Sequence, residues 1–397
     1  MYLKSLIVVA LILITSMISF AQQGTVAVKG SVFLDTNNNG LRDANENGVK
    51  GVTVSDQVVS VVTDAAGFFQ FQSTDHLGFV VVTQPEGFQV KGSFWKPVPA
   101  GQPEVNMDFA LIKSTKPTRF TFIHASDTHI SEASLTRTQK LKALTDSLKP
   151  AFVIVSGDLI KDALRVSEQQ ARSLYELYTK EIAKFSVPVW SVPGNHELFG
   201  IERQSSLVSE KHPMYGKKMY RHYLGPDYYS FNYGGVHFVG LNSVDYEDLW
   251  YYGHIDSLQF AWLKADVTTI SKTTPVVTFN HIPFYSGGHS MWAFEPEGGF
   301  SSIVLLKDGR KVFRHVVDNA DDVMKLLNDY NFPVALSGHY HASQQFTIDT
   351  SKKKVKFYQT GAVVGPSSAG VLVMPSGVTL YTVENGKIDD GKFIPIR

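Results

Sequence analysis

Apolar residues change their spacing along this chain, and each change marks a different kind of structure. Lys4 precedes an apolar run from Leu6 to Leu13, which continues less strictly to Phe20. Ser19 and Ala21 put small residues where a signal peptidase reads them. This pattern predicts a secretory signal peptide over residues 1–21, cleaved after Ala21. An uncleaved anchor is the alternative, since the run is near the minimum spanning length. The small-x-small ending before Gln22-Gln23-Gly24 favours cleavage. No other stretch is long and apolar enough to span a membrane.

From Thr25 to about Leu111 the pattern is β. Val26 to Leu34, Val52 to Val54, Val58 to Val62, Gly67 to Gln72 and Gly78 to Thr83 read as short strands, with Gly, Asp and Pro between them. Residues 22–112 are therefore expected to form a small all-β sandwich. Residues 113–118, with Lys113-Ser114-Thr115-Lys116-Pro117, read as a linker. Beyond it the spacing alternates. Strands at Phe120–Ile123, Phe152–Val155 and Val187–Val192 enclose helices over Glu132–Leu148 and Ser167–Phe185. Later strands, near Tyr229–Asn232, His237–Leu241, Val276–Asn280, Val334–Ser337 and Val355–Tyr358, come without long helices between them. Residues 119–397 thus predict an α/β domain, with a mixed sheet or a two-sheet sandwich flanked by helices.

Composition narrows the chemistry. The chain has 397 residues, too many for one ordinary core, with 43% apolar and 19% charged. Lys plus Arg equals Asp plus Glu at 37 each, so no global field points to nucleic acid or an acidic membrane. There is no cysteine, which excludes disulfides, thiolate metal sites, cysteine nucleophiles and the usual lipoprotein anchor. A metal here must be held by His, Asp, Glu or Asn, ligands that suit Zn, Fe and Mn, or Ca at all-oxygen sites.

Five short motifs follow apolar strand-like runs: Asp127-Thr128-His129, Gly157-Asp158, Gly194-Asn195-His196-Glu197, His281 in Asn280-His281-Ile282-Pro283, and Gly338-His339-Tyr340-His341. Loops at strand ends can converge on one site. Asp127 and His129, like His339 and His341, sit two residues apart and share a side. A carboxylate such as Asp158 can bridge two cations, while Asn195 and His281 add neutral donors. These six or seven ligands suit two neighbouring metals with positions left for water and substrate.

Five such motifs in this order resemble the signature of calcineurin-like metallophosphoesterases, over residues 119 to about 385. The resemblance extends to Tyr228–Gly234 and to Gln259 with Trp262. It implies a four-layer α/β/β/α sandwich and two transition-metal ions, Mn, Fe or Zn. One ion would be held by Asp127, His129 and His341, the other by Asn195, His281 and His339, with Asp158 between them. His196 would stabilise the phosphoryl oxygens and protonate the leaving group. The implied reaction is hydrolysis of a small phosphomonoester or phosphodiester, a nucleotide included, by a hydroxide that bridges the metals. A pyrophosphate-type hydrolase is the rival, and a surface binding protein with a degenerate catalytic fold is the alternative outside enzymes. No ligand position is missing, which speaks against the last.

Two departures matter. The purple acid phosphatase branch has Asp-x-Gly first and Tyr three residues after the bridging Asp, where this chain has His129 and Lys161. The phosphoprotein phosphatase branch has Asp at that later position, followed by Arg-Gly; Lys161-Asp162-Ala163 differs. Tyrosinate-iron chemistry and protein dephosphorylation are therefore not expected. No acidic partner for His196 is evident.

Asp35-Thr36-Asn37-Asn38-Asn39-Gly40 and Glu46 fit an oxygen-rich calcium loop, with Asp35, Asn37, Asn39, the Leu41 carbonyl, Asp43 and Glu46 as donors. An ion-free Asn/Asp/Gly turn is the alternative. This segment, and Thr63 to Phe71, resemble transthyretin-like modules of bacterial surface proteins. His124 reads as a packing or supporting residue. His76, His212, His222, His237, His254 and His315 lack ligand spacing and read as surface or core. The loop Phe284–Trp292, with Tyr340, is a candidate substrate wall. Tyr220–Tyr223 and Trp250–Tyr252 read as core packing. The signal peptide predicts export, to periplasm, medium or cell surface. Oligomeric state is not encoded in any pattern here.

Overall fold

The computed structural model describes residues 25–74, 77–288, 302–369 and 371–397. The predicted signal peptide and His76 lie outside the described residues, as do positions 289–292 of the candidate substrate wall.

The N-terminal region folds as two sheets. In one, Val26–Leu34 pairs antiparallel with Phe68–Ser73 and parallel with Glu104–Asn106 and Phe109–Lys113, and Phe88–Val90 closes the edge. The other runs Ser60–Val62, Thr53–Ser55, Phe79–Val82, Trp95–Pro97. Phe68–Ser73 shows the logic: Phe69, Phe71 and Ser73 are buried and their neighbours exposed, the period-two pattern of a half-buried strand. The last strands, beyond Thr83, are short and interrupted by Gly and Pro, so their apolar periodicity is too brief to read. Lys113, read as the start of the linker, is the last residue of a strand.

The second region has two six-stranded sheets. The first runs Val189–Val192, Val153–Ser156, Arg119–Ala125, Gly377–Glu384, Lys387–Ile388, with Lys392–Pro395 also on Gly377–Glu384. The other runs Tyr229–Tyr233, Val236–Gly240, Val276–Phe279, Val334–Ser337, Lys354–Gln359, Gln344–Asp349. Between the sheets lies an aromatic slab of Phe122, Phe152, Phe231, Phe238, Phe279 and Tyr381. Its rings pack edge-on and offset, as for Phe122 on Phe152 at 5.3 Å and Phe152 on Phe238 at 5.2 Å. Helices Leu135–Leu148, Glu168–Ile182 and Lys218–Leu224 cover the outer face of the first sheet through Leu141, Tyr175, Tyr178, Met219 and Tyr220. Helices Ser257–Val267 and Ala320–Leu327 cover the second through Trp262, Leu263, Val323 and Leu327. The order of layers is α/β/β/α.

These last two helices, of 11 and 8 residues, lie among the later strands, where the spacing predicted no long helices. In Ser257–Val267, Leu258, Phe260, Ala261, Trp262 and Leu263 fall on nearly every side, so no apolar stripe stands out. The stronger signal was the cap: the Asp256 side chain accepts from Gln259 N at 3.0 Å.

Strands Arg119–Ala125, Val153–Ser156 and Val189–Val192 are parallel, as are Val236–Gly240, Val276–Phe279 and Val334–Ser337. Within each set the carboxyl ends therefore share an edge. Every motif identified above follows one of these ends.

Strand Phe79–Val82 is buried on both faces. Val80 and Val82 enter the N-terminal core, while Phe79 and Val81 enter the slab between the catalytic sheets. Phe94 lies 5.1 Å from Trp190 and 4.9 Å from Tyr229. Gln57 Nε2 donates to Tyr228 O at 2.8 Å, and Tyr228 Oη donates to Gln57 O at 2.7 Å. The two regions thus share a core rather than meeting through a tether. A single calorimetric unfolding transition is expected for the whole chain. Val81→Asp would bury an unpaired carboxylate there and should lower that one transition. Two well-separated transitions in the unaltered protein would contradict the shared core.

Candidate metal centre

Five of the seven residues read as ligands adopt left-handed backbone: Asp127 (φ 54°), His129 (38°), Asp158 (49°), His339 (73°) and His341 (52°). Each such residue costs about 1–3 kcal/mol and persists only where its surroundings enforce it. Here backbone bonds do so: Asp127 N donates to Gly157 O at 3.0 Å, and His129 N to Asp158 O at 2.9 Å. The motif glycines answer a steric demand. A Cβ on Gly194 would stand 2.2 Å from Asp158 Oδ1, and one on Gly338 1.8 Å from Ser126 Oγ.

The seven side chains converge in two groups that share Asp158. Asp127, His129, Asp158 and His341 place one ligand atom each within 4.8 Å of one another, and Asp158, His281 and His339 do the same. In the first group His129 Nε2 lies 3.2 Å from His341 Nε2 and 3.5 Å from Asp158 Oδ2, and Asp127 Oδ1 lies 3.1 Å from His341 Nε2. In the second, His281 Nε2 lies 3.2 Å from Asp158 Oδ1, 3.2 Å from Asn195 Oδ1 and 3.1 Å from His339 Nδ1. Asp158 therefore turns one oxygen to each group. The donor set fits cations: Asp127 Oδ1 is buried with no hydrogen bond on it, and ring nitrogens face one another at close range.

Electrostatics agree with that fit. Burial works to raise the Asp158 carboxyl, yet His281, His196 and His129 hold it well below the usual range. Asp127 is likewise lowered, burial being outweighed chiefly by His341. Burial pushes His129 down to about 4, and with His281 and His315 it holds His339 well below its ordinary value. Both shifts favour the neutral ring, the form that can ligate. Burial acts to lower His281, but Asp158 carries it up to about 9.

His196 stands beside the centre, its Nε2 3.8 Å from Asp158 Oδ2. Its Nδ1–H donates to the backbone carbonyl of Lys161 at 2.7 Å, and Asp162 Oδ1 lies 3.9 Å from the same nitrogen. The orienting group sought in the sequence is thus a main-chain carbonyl, which no side-chain pattern could reveal. Two further residues were missed. Glu197 is buried and accepts from Leu159 N (2.8 Å), Ile160 N (3.0 Å) and Gly194 N (2.6 Å), tying the Asp158 turn to the Asn195 turn. Its place in Gly-Asn-His-Glu was the available signal. His315, read as an ordinary surface or core residue, instead meets His339, with Nδ1 2.7 Å from Nε2.

A cavity of about 940 Å³ opens over the centre, lined also by Lys161, Tyr251, Gly288, His315 and Tyr340. Tyr251 was read as core packing; it does both. Tyr220 is core, with its hydroxyl on Ser191 O. His124 is buried, bonds Ser156 Oγ at 2.8 Å and is pushed down to about 3 by burial. His237 and His254 pair with Asp266 and Asp318, and His212 with Glu168. His222 packs edge-on against Tyr223.

The Asp35–Glu46 loop is closed by its own hydrogen bonds. Asp35 accepts from Asn39 N and Gly40 N, Glu46 from Thr36 N and Asp43 N, and Asn37 and Asn39 both donate to Asp43. Asn39 Oδ1 accepts from Leu41 N.

A family model described as calcineurin-like phosphoesterase matches residues 120–343, and one described as the N terminal of calcineurin-like phosphoesterase matches residues 36–114. Purple acid phosphatase 23 of Arabidopsis thaliana is 28% identical over 165 residues, 40% of this chain; the match spans 29% of that protein's length. Among solved structures, a dimetal phosphatase from Danio rerio is 15% identical with a TM-score of 0.45, covering 70% of this chain and 99% of that one. GAP50, the anchor in the inner membrane complex of Plasmodium, is 14% identical with a TM-score of 0.42, covering 70% of this chain and 85% of its own.

A metal needs the bare nitrogen of His281, which in the metal-free protein keeps its proton up to about pH 9. Affinity is therefore expected to climb with pH towards about 9, and binding near neutrality to release protons. Calorimetric titration in buffers of different ionisation enthalpy counts them. An affinity that does not change with pH across the neutral range would contradict this protonation pattern.

Proposed function

The chain belongs to the calcineurin-like phosphoesterase family, and from that premise we propose that it hydrolyses phosphoesters at a two-metal centre. The observation that carries this is the pair of ligand groups joined by Asp158, one carboxylate oxygen towards each. Asp127, His129 and His341 hold one ion in this reading, and Asn195, His281 and His339 the other. Two divalent ions at these positions would supply charge neutralisation for the phosphoryl oxygens and a nucleophile from water.

The chain's own residues do the rest. Asp158 fixes the distance between the two halves. Glu197 holds the turns that carry Asp158 and Asn195. Lys161 O fixes the His196 ring so that Nε2 faces the centre, where it delivers a proton to the leaving oxygen. The substrate in this proposal is a small phosphomonoester or phosphodiester. The partial match to a plant purple acid phosphatase does not extend the reading to tyrosinate-iron chemistry, because His129 and Lys161 occupy the diagnostic positions. Export of the mature chain from Gln22 belongs to the same proposal.

Metal-stripped protein should regain turnover of aryl phosphomonoesters or diesters with Mn, Zn or Fe. Asp158→Asn should lose roughly 10²–10³-fold or more in kcat and hold less metal. If no metal restores turnover on either substrate, and Asp158→Asn binds metal normally, the proposal fails. Calcium at the Asp35–Glu46 loop is a separate structural proposal, with donors from Asp35, Asn37, Asn39, Leu41, Asp43 and Glu46. Calorimetry with calcium should give heat that Glu46→Ala abolishes; no heat in the unaltered protein removes the ion.

A further inference from the structure

His315 lies outside every motif, yet its place is closely determined. It follows strand Lys311–Phe313, which pairs with Ile303–Leu305. Val304, Leu306 and Val312 pack with Tyr252 beneath that hairpin. Arg314 N donates to Ser302 O at 2.9 Å, Val317 N donates to Pro283 O at 2.9 Å, and the Arg314 guanidinium lies 4.4 Å over the Tyr251 ring. The backbone on both sides of His315 is thus anchored next to the loop that carries His281. Its ring lies nearly coplanar with that of His339, the centroids 5.0 Å apart and the planes 28° from parallel, so that the two meet edge to edge.

We infer that His315 is a positioning residue for His339, a role that rests on the two-metal reading above. His339 turns Nδ1 to His281 Nε2 at 3.1 Å and Nε2 to His315 Nδ1 at 2.7 Å. A ligating nitrogen must be unprotonated, so the proton of a neutral His339 sits on Nε2 and is donated to His315 Nδ1. This bond fixes both the tautomer of His339 and the plane of its ring. His281 is held differently, by donation from its Nδ1 to the Ser156 carbonyl at 2.8 Å. A carbonyl and a neutral imidazole orient the two rings without adding charge. Among the described residues, the half of the centre with Asn195, His281 and His339 then keeps Asp158 as its only carboxylate, whereas the other half has Asp127 as well. The half that His315 serves is therefore matched to a divalent ion.

The experiment is titration of the metal-free full chain with Co(II), followed by its visible absorption, and with Zn(II) in competition with a chelator. In the unaltered protein two equivalents bind. In His315→Phe, which keeps an aromatic ring but no acceptor, one equivalent should bind as before and the other about 10–100-fold more weakly. His315→Asn, whose Oδ1 can stand where Nδ1 stood, should recover most of that loss. Melting curves of the metal-free variants show that each is folded, and His315→Ala against His315→Asn makes the same comparison if the Phe form does not fold. Equal affinity in His315→Phe and the unaltered chain would overturn the inference. So would an Asn variant as weak as the Phe variant, since shape rather than the acceptor would then matter. Failure of the unaltered chain to bind any metal would overturn the two-metal reading itself, and this inference with it.

Discussion

Two carboxylates, Asp127 and Asp158, are buried beside each other among histidines, and the rest of the structure is arranged to keep them there. Burial alone would raise their pKa. The histidines reverse this and hold both below the ordinary range. The arrangement leaves Asp127 Oδ1 without a hydrogen bond and brings ring nitrogens of His129 and His341, and of His281 and His339, to 3.2 and 3.1 Å of each other. Positive charge at the centre would satisfy all of these atoms together.

That demand explains features otherwise unconnected. Parallel strands bring five loops to a common edge, but ligand atoms on those loops must still turn inward within a few ångströms. The left-handed backbone at Asp127, His129, Asp158, His339 and His341 performs that turn. Gly194 and Gly338 leave the room it needs. Glu197, with three backbone donors, ties two turns together from beneath. The strands that carry these turns are packed between the aromatic slab and the helical layers, and the N-terminal region adds Phe79 and Val81 to the slab.

The sequence made the strand ends legible because each motif follows a fully buried apolar run, as at Val153–Ser156. Such runs are conspicuous where a parallel strand is covered on both faces. Phe79–Val82 has the same appearance for another reason, since its two faces enter two different cores; the pattern could not distinguish them. Helix Ser257–Val267 was hidden by apolar residues all round it, and the strands after Thr83 by their brevity. Within the site, residues with ligand spacing could be read. His315 could not, because its contact with His339 is made by a hairpin whose path only the folded chain defines. Nor could the Lys161 carbonyl, since main-chain groups leave no trace in residue type.

Position 161 shows why such invisibility has consequences. Its carbonyl orients His196, and its side chain lines the cavity. The carbonyl is present whatever residue stands there, so the side chain can change without disturbing the His196 ring. This is the position at which the purple acid and phosphoprotein branches carry Tyr and Asp. A lysine there brings positive charge to the cavity wall without using a ligand position, and it leaves the geometry of His196 intact. The centre and the His196 ring are thus fixed by backbone and burial, while the side chain at position 161 contributes its charge to the pocket wall.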